Sequence, residues 1–291
     1  MAISLNSISK TRRAAQPPRV VIHGPHGVGK STLGASAYAP IFLPLEDGLA
    51  GLEVDSFPLL GSWGEVREAL RVLETEQHAF GTAVIDSLDW LEPLIWGEVC
   101  RKLDKPSIES IPYGKGYTEA LPIWREFLDT LDRLRARGMA TILIAHSEIK
   151  RFDAPDSDPF DRYQIKLHKG AAALVQEWAD VIGFAQFETT VKKTDTGFGA
   201  TRTRGIGTGR RLLHVVEKPA YVAKNRYGLP DTLPLDWNAL VAGIQGTTQP
   251  EAAYEPTHGI PWTPGIRPQQ RGTRAGSRAR TFGRVPRDHH R

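Results

Sequence analysis

Residues 21 to 32, VIHGPHGVGKST, set Gly24, Gly29, Lys30 and Ser31 at the fixed places of the pattern G-x-x-x-x-G-K-[ST], behind the strand-like run RVVIH. That spacing suits a phosphate chain. Glycine lets successive backbone N–H groups turn inward around phosphate oxygens, and a helix predicted to begin over Ser31 to Ala35 adds the positive end of its dipole. The loop of Gly24, Pro25, His26, Gly27, Val28, Gly29, Lys30, Ser31 and Thr32 is therefore the expected seat of ATP. Lys30 would reach the β and γ phosphates as a binding and a catalytic group, the Ser31 hydroxyl would ligate Mg²⁺, and Thr32 would meet the α phosphate.

Three further residues end strand-like runs. TAVIDS delivers Asp86 as a second Mg²⁺ group, and it is followed by Ser87 where many NTPases of this type carry a water-activating glutamate. The general base is then expected from elsewhere, and Glu46, at the end of IFLPLE, is the candidate. His146 ends ATILIAH, where a polar side chain could sense the γ phosphate and pass its state to the following segment. A satisfied core histidine is the alternative for His146, and an ordinary acidic turn is the alternative for Glu46.

The elements needed to bring these residues together are legible as alternating strands and helices. Strands are expected at 19–23, 41–45, 82–86, 140–146 and 179–187, with helices at 63–76 and 119–137, the latter showing Leu121, Trp124, Leu128, Leu131 and Leu134 on one stripe. This predicts an α/β fold, a mostly parallel sheet flanked by helices, with ligands at the carboxyl ends of the strands. Beyond Phe187, the pieces ETTVKKT and RRLLHVVEK predict an added antiparallel β-hairpin.

A chain of 291 residues is long enough for one such domain with additions. Residues 1–17 read as a flexible N-terminal segment, 18–245 as the core, and 246–291 as a disordered tail rich in Pro, Gly and Arg. The tail holds eight arginines against Glu251, Glu255 and Asp288, so the net charge of +4 belongs to it. The single cysteine, Cys100, excludes an internal disulfide. No stretch suits a membrane span or a signal peptide, so a cytoplasmic location is expected, that of the host cell if the chain is phage-encoded.

Two polar segments on the ligand edge are long for plain connections and are expected to be loops. Residues 101–120 carry Lys105, Tyr113, Lys115 and Tyr117; residues 147–170 carry Lys150, Arg151, Phe152, Arg162, Tyr163, Lys166 and Lys169. Cations interleaved with rings suit single-stranded nucleic acid, the charges following phosphates and the rings stacking under bases. The acids Asp153, Asp156, Asp158 and Asp161 favour a solvated surface instead.

The order GPHGVGKST, LPLEDG, VIDS, a first loop, ILIAHS and a second loop resembles the RecA-type ATPase core. More narrowly, LEDGLAGL, YGKGYTEA, WADVIGF and AKNRYGLP resemble the phage AAA-domain nucleotide-binding proteins, which include the Sak-type single-strand annealing ATPases. The resemblance implies a RecA-like P-loop core, Glu46 as catalytic glutamate, Asp86 as the Mg²⁺ aspartate, and the two loops as the lining of a DNA channel. It further implies ATP-dependent binding of single-stranded DNA, annealing or strand pairing, self-assembly into a ring or filament, and cooperation with a single-strand binding protein. Lys218, Lys224 and Arg226 fall where RecA-like proteins bring cations to a neighbour's γ phosphate. RecA carries glutamine where His146 falls, and a separate domain before the phosphate loop, which bears on DNA sensing and assembly. The other readings are a P-loop nucleotide or small-molecule kinase, and a nucleotide-switched loader or assembly ATPase.

Overall fold

The computed structural model describes residues 16–153, 158–195 and 201–246. The expectations for the first 15 residues and for the tail from 247 onward lie outside the described residues.

The strand β1 (Arg19–Gly24) feeds the phosphate loop and helix α1 (Lys30–Ala35). There follow β2 (Pro40–Pro44), β3 (Asp55–Ser56), α2 (Trp63–Thr75), β4 (Thr82–Asp86) and α3 (Leu88–Leu103). Two short 3₁₀ turns lead into α4 (Lys115–Ala136), then β5 (Ala140–Phe152), β6 (Phe160–Ile165), α5 (Lys169–Trp178), β7 (Val181–Asp195) and β8 (Thr201–His214). The described chain closes with β9 (Lys224–Asn225), β10 (Thr232–Pro234) and α6 (Trp237–Ile244).

The strands form one sheet in the order β10-β8-β7-β1-β5-β4-β2-β3, with β6 paired to β5 and β9 to β7. From β7 to β3 the ladder is parallel; β8, β10, β6 and β9 add antiparallel pairs at its side and ends. This is a mostly parallel sheet flanked by helices, with the phosphate loop between β1 and α1 and the expected hairpin present as β7 and β8.

Strand alternation explains why helices cover both faces. Val21, Leu43, Ile85 and Leu143 point into a core completed by Trp63, Leu70, Leu91, Trp124, Phe127 and Val175 of α2 to α5. Their strand neighbours Val20, Ile22, Phe42, Val84 and Ile142 point the other way, onto Leu33 of α1 and Trp237 and Leu240 of α6. Every strand of this central part is thus apolar on both sides, as a doubly covered parallel sheet requires. Helix α1 lies close because Gly34 has no side chain: a Cβ there would meet Val84 Cγ1 at 2.9 Å.

Two expectations are corrected. The described residues of 147–170 are not a plain loop: β5 continues to Phe152 and β6 returns beside it, with Lys150 opposite Arg162 and Ile149 opposite Tyr163. Residues 101–120 are likewise mostly helical, Arg101 to Leu103 ending α3 and Lys115 onward beginning α4. Both strings lack a clean apolar periodicity, and neighbouring surfaces supply the pattern instead. β6 also rests on a tertiary contact, Tyr163 N donating to Ala220 O and Val222 N to Tyr163 O.

At the amino end of the sheet, Asp180 receives Arg19 at 2.9 Å, Arg135 at 2.9 Å and Arg226 at 3.2 Å. Burial opposes its charge, but Arg19 and Arg135 hold the carboxyl below its ordinary value. The cluster ties β1, α4 and the start of β7 together, and a carboxylate lost from it would strand two largely buried guanidiniums.

Candidate nucleotide site

The phosphate loop is shaped by glycines with a definite reason. Gly29 sits at φ +103°, a conformation side chains rarely adopt. Gly24 lets β1 approach β7 so closely that a Cβ would meet Ala185 O at 2.4 Å. Val28 anchors the loop by burying its side chain in the α1 face of the core.

Lys30 is 5% exposed, and its ammonium donates to the carbonyls of Gly24 at 3.2 Å and Pro25 at 2.9 Å. Burial pulls its pKa down, while Asp86, Asp89 and Glu46 pull it up. Across the cleft, the Ser31 hydroxyl donates to Asp86 Oδ2 at 2.6 Å. Burial raises the Asp86 carboxyl, with the Ser31 hydrogen bond opposing.

The strand order places these groups. Parallel register sets Gly24 beside His146, and one strand, β5, stands between β1 and β4. Asp86, His146 and, from the end of β2, Glu46 consequently face one cleft of about 360 Å³ with His26, Lys30 and Ser31. Residues of four strands are thus brought together: the loop after β1, Glu46 just past β2, Asp86 at the end of β4 and His146 within β5.

Glu46 does not stand alone there. Its Oε1 accepts the Ser87 hydroxyl at 2.9 Å, and the same hydroxyl lies 3.0 Å from Asp89 Oδ1. One hydroxyl has one proton, so it serves one carboxylate at a time. Asp89 Oδ1 already accepts the backbone N–H of His146 at 3.0 Å, while Oδ2 meets His146 Nδ1 at 2.9 Å. The His146 ring in turn stacks on His26, with centroids 3.8 Å apart. A continuous chain of contacts thus runs from Glu46 through Ser87 and Asp89 to His146 and the phosphate loop.

Asp89 is a residue that sequence reasoning missed, since an acid in the first turn of a helix is ordinary. Burial alone would raise its pKa, but hydrogen bonds from the His146 ring and backbone outweigh burial and hold it at about 2. A carboxyl depressed in the folded state adds stability above its unfolded value, and that stability is lost as pH falls through the folded value. The melting-temperature gap between wild type and Asp89→Asn is therefore expected to be full near neutral pH and to close as pH drops from about 4 towards 2. A gap that widens on acidification would contradict the assignment.

The residues fit a nucleotide and its metal on three counts. The Gly29 backbone is bare, the Lys30 ammonium is buried against carbonyls only, and Ser31 with Asp86 offers a hydroxyl and a carboxylate, the oxygen donors that Mg²⁺ takes. Among the described residues no cluster of three or more His, Cys, Asp or Glu could hold a metal ion by itself.

Arg211, on β8, also lines this cleft and was not anticipated, because nothing in the sequence announces that β8 returns beside the phosphate loop.

The other predicted residues divide by placement. Lys150, Arg151, Lys166 and Lys169 are exposed around the β5–β6 hairpin and the start of α5, and Lys105, Tyr113 and Lys115 are exposed near the start of α4. The two segments meet: the Tyr117 ring stacks on His168 with centroids 4.3 Å apart and planes 10° apart. Arg162 is buried, pairs with Glu217 and lies over Phe152, so it is not presented to a ligand. Tyr163 is exposed at its edge while its face stacks on Phe184 at 5.0 Å.

Lys218 pairs with Asp231 at 3.7 Å. Lys224 donates to the carbonyls of Gln176 and Glu177 at the end of α5, and Arg226 joins Asp180, both at the amino end of the sheet and far from this chain's own phosphate loop.

Residues 16–227 match the family described as AAA domain. The chain is 22% identical over 148 residues to the SPbeta prophage-derived uncharacterized protein YorG of Bacillus subtilis (strain 168). That match takes 48% of this chain and 44% of the other, so the chain spans less than half the length of the curated relative it matches. Among solved structures it is similar to the flagellar accessory protein FlaH from Methanocaldococcus jannaschii, at 11% identity and a TM-score of 0.35, covering 75% of this chain and 84% of that one. No helix among the described residues is long and apolar enough to cross a membrane.

Proposed function

The chain belongs to the AAA domain family and carries its nucleotide-binding NTPase fold, and from that premise we propose that it is an ATP hydrolase that binds single-stranded DNA and promotes annealing or strand pairing in phage-type recombination. The observation that carries this reading is the course of β5. It leaves the cleft at His146 and runs without a break into the hairpin that bears Lys150 and Arg151. The six residues from Ser147 to Phe152 extend past the end of β1, a reach of about 20 Å at the ordinary rise of a strand. A change felt at His146 is thus delivered to an exposed cationic surface through one rigid element.

In the hydrolytic cycle, Lys30 would hold the phosphate chain, and Ser31 and Asp86 would hold Mg²⁺, which would supply neutralisation of phosphate charge. Glu46 takes the proton of the attacking water, and Ser87 and Asp89 fix the carboxylate and the His146 ring relative to each other. When Glu46 becomes protonated it needs the Ser87 proton less, and that hydroxyl can turn to Asp89, altering the grip on His146.

Among the described residues Lys150 and Arg151 make ion pairs at the surface, to Glu148 at 2.6 Å and Asp153 at 3.6 Å. Such surface pairs are worth roughly 0 to 1 kcal/mol, so phosphate can displace them. Tyr117 and Tyr163, engaged with His168 and Phe184, serve as walls of this face rather than as free stacking rings.

The test is the ATPase rate with and without single-stranded oligonucleotide, together with binding as salt is raised. Stimulation is expected, with a log-log salt slope of about −0.7 per phosphate neutralised. Replacing Lys150 and Arg151 together by alanine is expected to flatten that slope by about 1.4. Absence of both stimulation and binding would reject the DNA reading and leave an NTPase acting on another partner, a single-strand binding protein or a second copy of the chain included.

A further inference from the structure

The cleft has a second wall that the phosphate motif does not account for. Asp86, Glu46 and His146 all stand on the β5 side of β1, which marks that side as the end where hydrolysis takes place. On the opposite side β7 and then β8 follow, and Arg211 of β8 reaches into the cleft.

Its guanidinium lies against the bare backbone of Gly29. A Cβ at Gly29 would meet Arg211 Nη1 at 2.6 Å and Cζ at 3.4 Å, so the loop's glycine is needed for this approach as well as for its own φ. The guanidinium also lies over Phe187, which stands directly opposite Arg211 across the β7–β8 ladder, with Cζ 6.0 Å from the ring centroid. Among the described residues no ion pair joins Arg211 to a carboxylate, although Glu46 and Asp86 line the same cleft. An arginine propped on an aromatic ring, aimed at a phosphate loop and left without an acid, has the donor fork that phosphate oxygens take.

We propose that Arg211 is a phosphate ligand of the nucleotide bound in its own chain, contacting the α–β portion that ADP and ATP share rather than the γ phosphate. The side of the cleft it occupies decides this: the groups suited to the γ phosphate lie across β1 from it. The proposal rests on the nucleotide site and is independent of the DNA reading. It also makes the root of the β7–β8 hairpin part of the nucleotide site, although Arg211 lies 182 residues beyond Gly29 in the sequence (211 − 29 = 182).

The experiment is calorimetric titration of ADP and of a non-hydrolysable ATP analogue into the full chain without DNA, for wild type, Arg211→Ala and Arg211→Lys. Arg211→Ala is expected to weaken both nucleotides by about tenfold and to a similar degree, and Arg211→Lys to recover part of the loss, because lysine keeps the charge without the fork. Circular dichroism serves as the fold control for this exposed residue. Unchanged affinity in a folded Arg211→Ala protein overturns the assignment, as does a loss confined to the ATP analogue. A wild-type chain that binds neither nucleotide would instead overturn the nucleotide site itself, and this assignment with it.

Discussion

A Lys30→Ala protein is expected to lose ATP binding by about 30-fold or more, with hydrolysis falling by a further factor of about 10² to 10³ at any nucleotide concentration that saturates it. The reason is the burial of the ammonium. Lys30 is nearly inaccessible, and its present partners are two loop carbonyls, which match only part of its charge. A triphosphate supplies the missing anion, so truncation removes a desolvated, charge-assisted contact at the point where charge accumulates in the transition state. The variant should fold as the parent does, since a lysine pulled down in pKa by burial costs stability while no anion meets it. Equilibrium binding of a fluorescent ATP analogue checks the first part, and phosphate release checks the second. Parental affinity in the variant would remove the phosphate loop from the account.

Glu46→Gln is expected to separate binding from chemistry. Glutamine keeps a carbonyl oxygen to accept the Ser87 hydroxyl, so the contact seen at 2.9 Å survives and the cleft keeps its shape. What is lost is the ability to take a proton from water. A positioned general base contributes about 10²- to 10⁴-fold, so turnover should fall by that range while ATP affinity stays within about threefold. The neighbouring Ser87→Ala variant offers a graded comparison, because it leaves Glu46 ionisable but frees it from its tether to Asp89. Single-turnover hydrolysis with prebound ATP distinguishes the two. If Glu46→Gln hydrolyses ATP at the parental rate, the water is activated by another group and the role of Glu46 falls.

The parts of this site legible in the sequence are those that a strand end fixes by itself. An apolar run followed by glycines and a lysine, or by a single aspartate, tells both the element and where its apolar part stops, which is why the sequence marks Gly24 to Thr32, Glu46, Asp86 and His146 as neighbours of one cleft. What escaped depends on neighbours that the chain reaches late. Asp89 looks like a routine first-turn acid until β5 brings His146 to within 2.9 Å of it. Arg211 is one of several arginines in a polar string until the order β8-β7-β1 folds it over Gly29.

The fold shows the same division. Buried parallel strands announce themselves by continuous apolar runs, and β4 falls at the bounds its sequence suggests. The β5–β6 hairpin does not, because its residues past His146 alternate among charges and rings with no buried stripe of their own. Glu92 is a comparable case: burial raises its carboxyl to about 7, yet both its oxygens accept the His168 N–H that begins α5, a contact between α3 and α5 that neither segment announces alone.

The central claim is that the nucleotide cleft and the cationic hairpin are two ends of one mechanical element. Affinity for a labelled single-stranded oligonucleotide, measured with no nucleotide, with ADP and with a non-hydrolysable ATP analogue at one fixed salt concentration, tests it most directly. The account predicts binding about 5- to 150-fold tighter with the ATP analogue than without nucleotide, the usual range of coupling between two sites, and an equal gain in ATP affinity when the oligonucleotide is present. The same oligonucleotide affinity under all three conditions would contradict it.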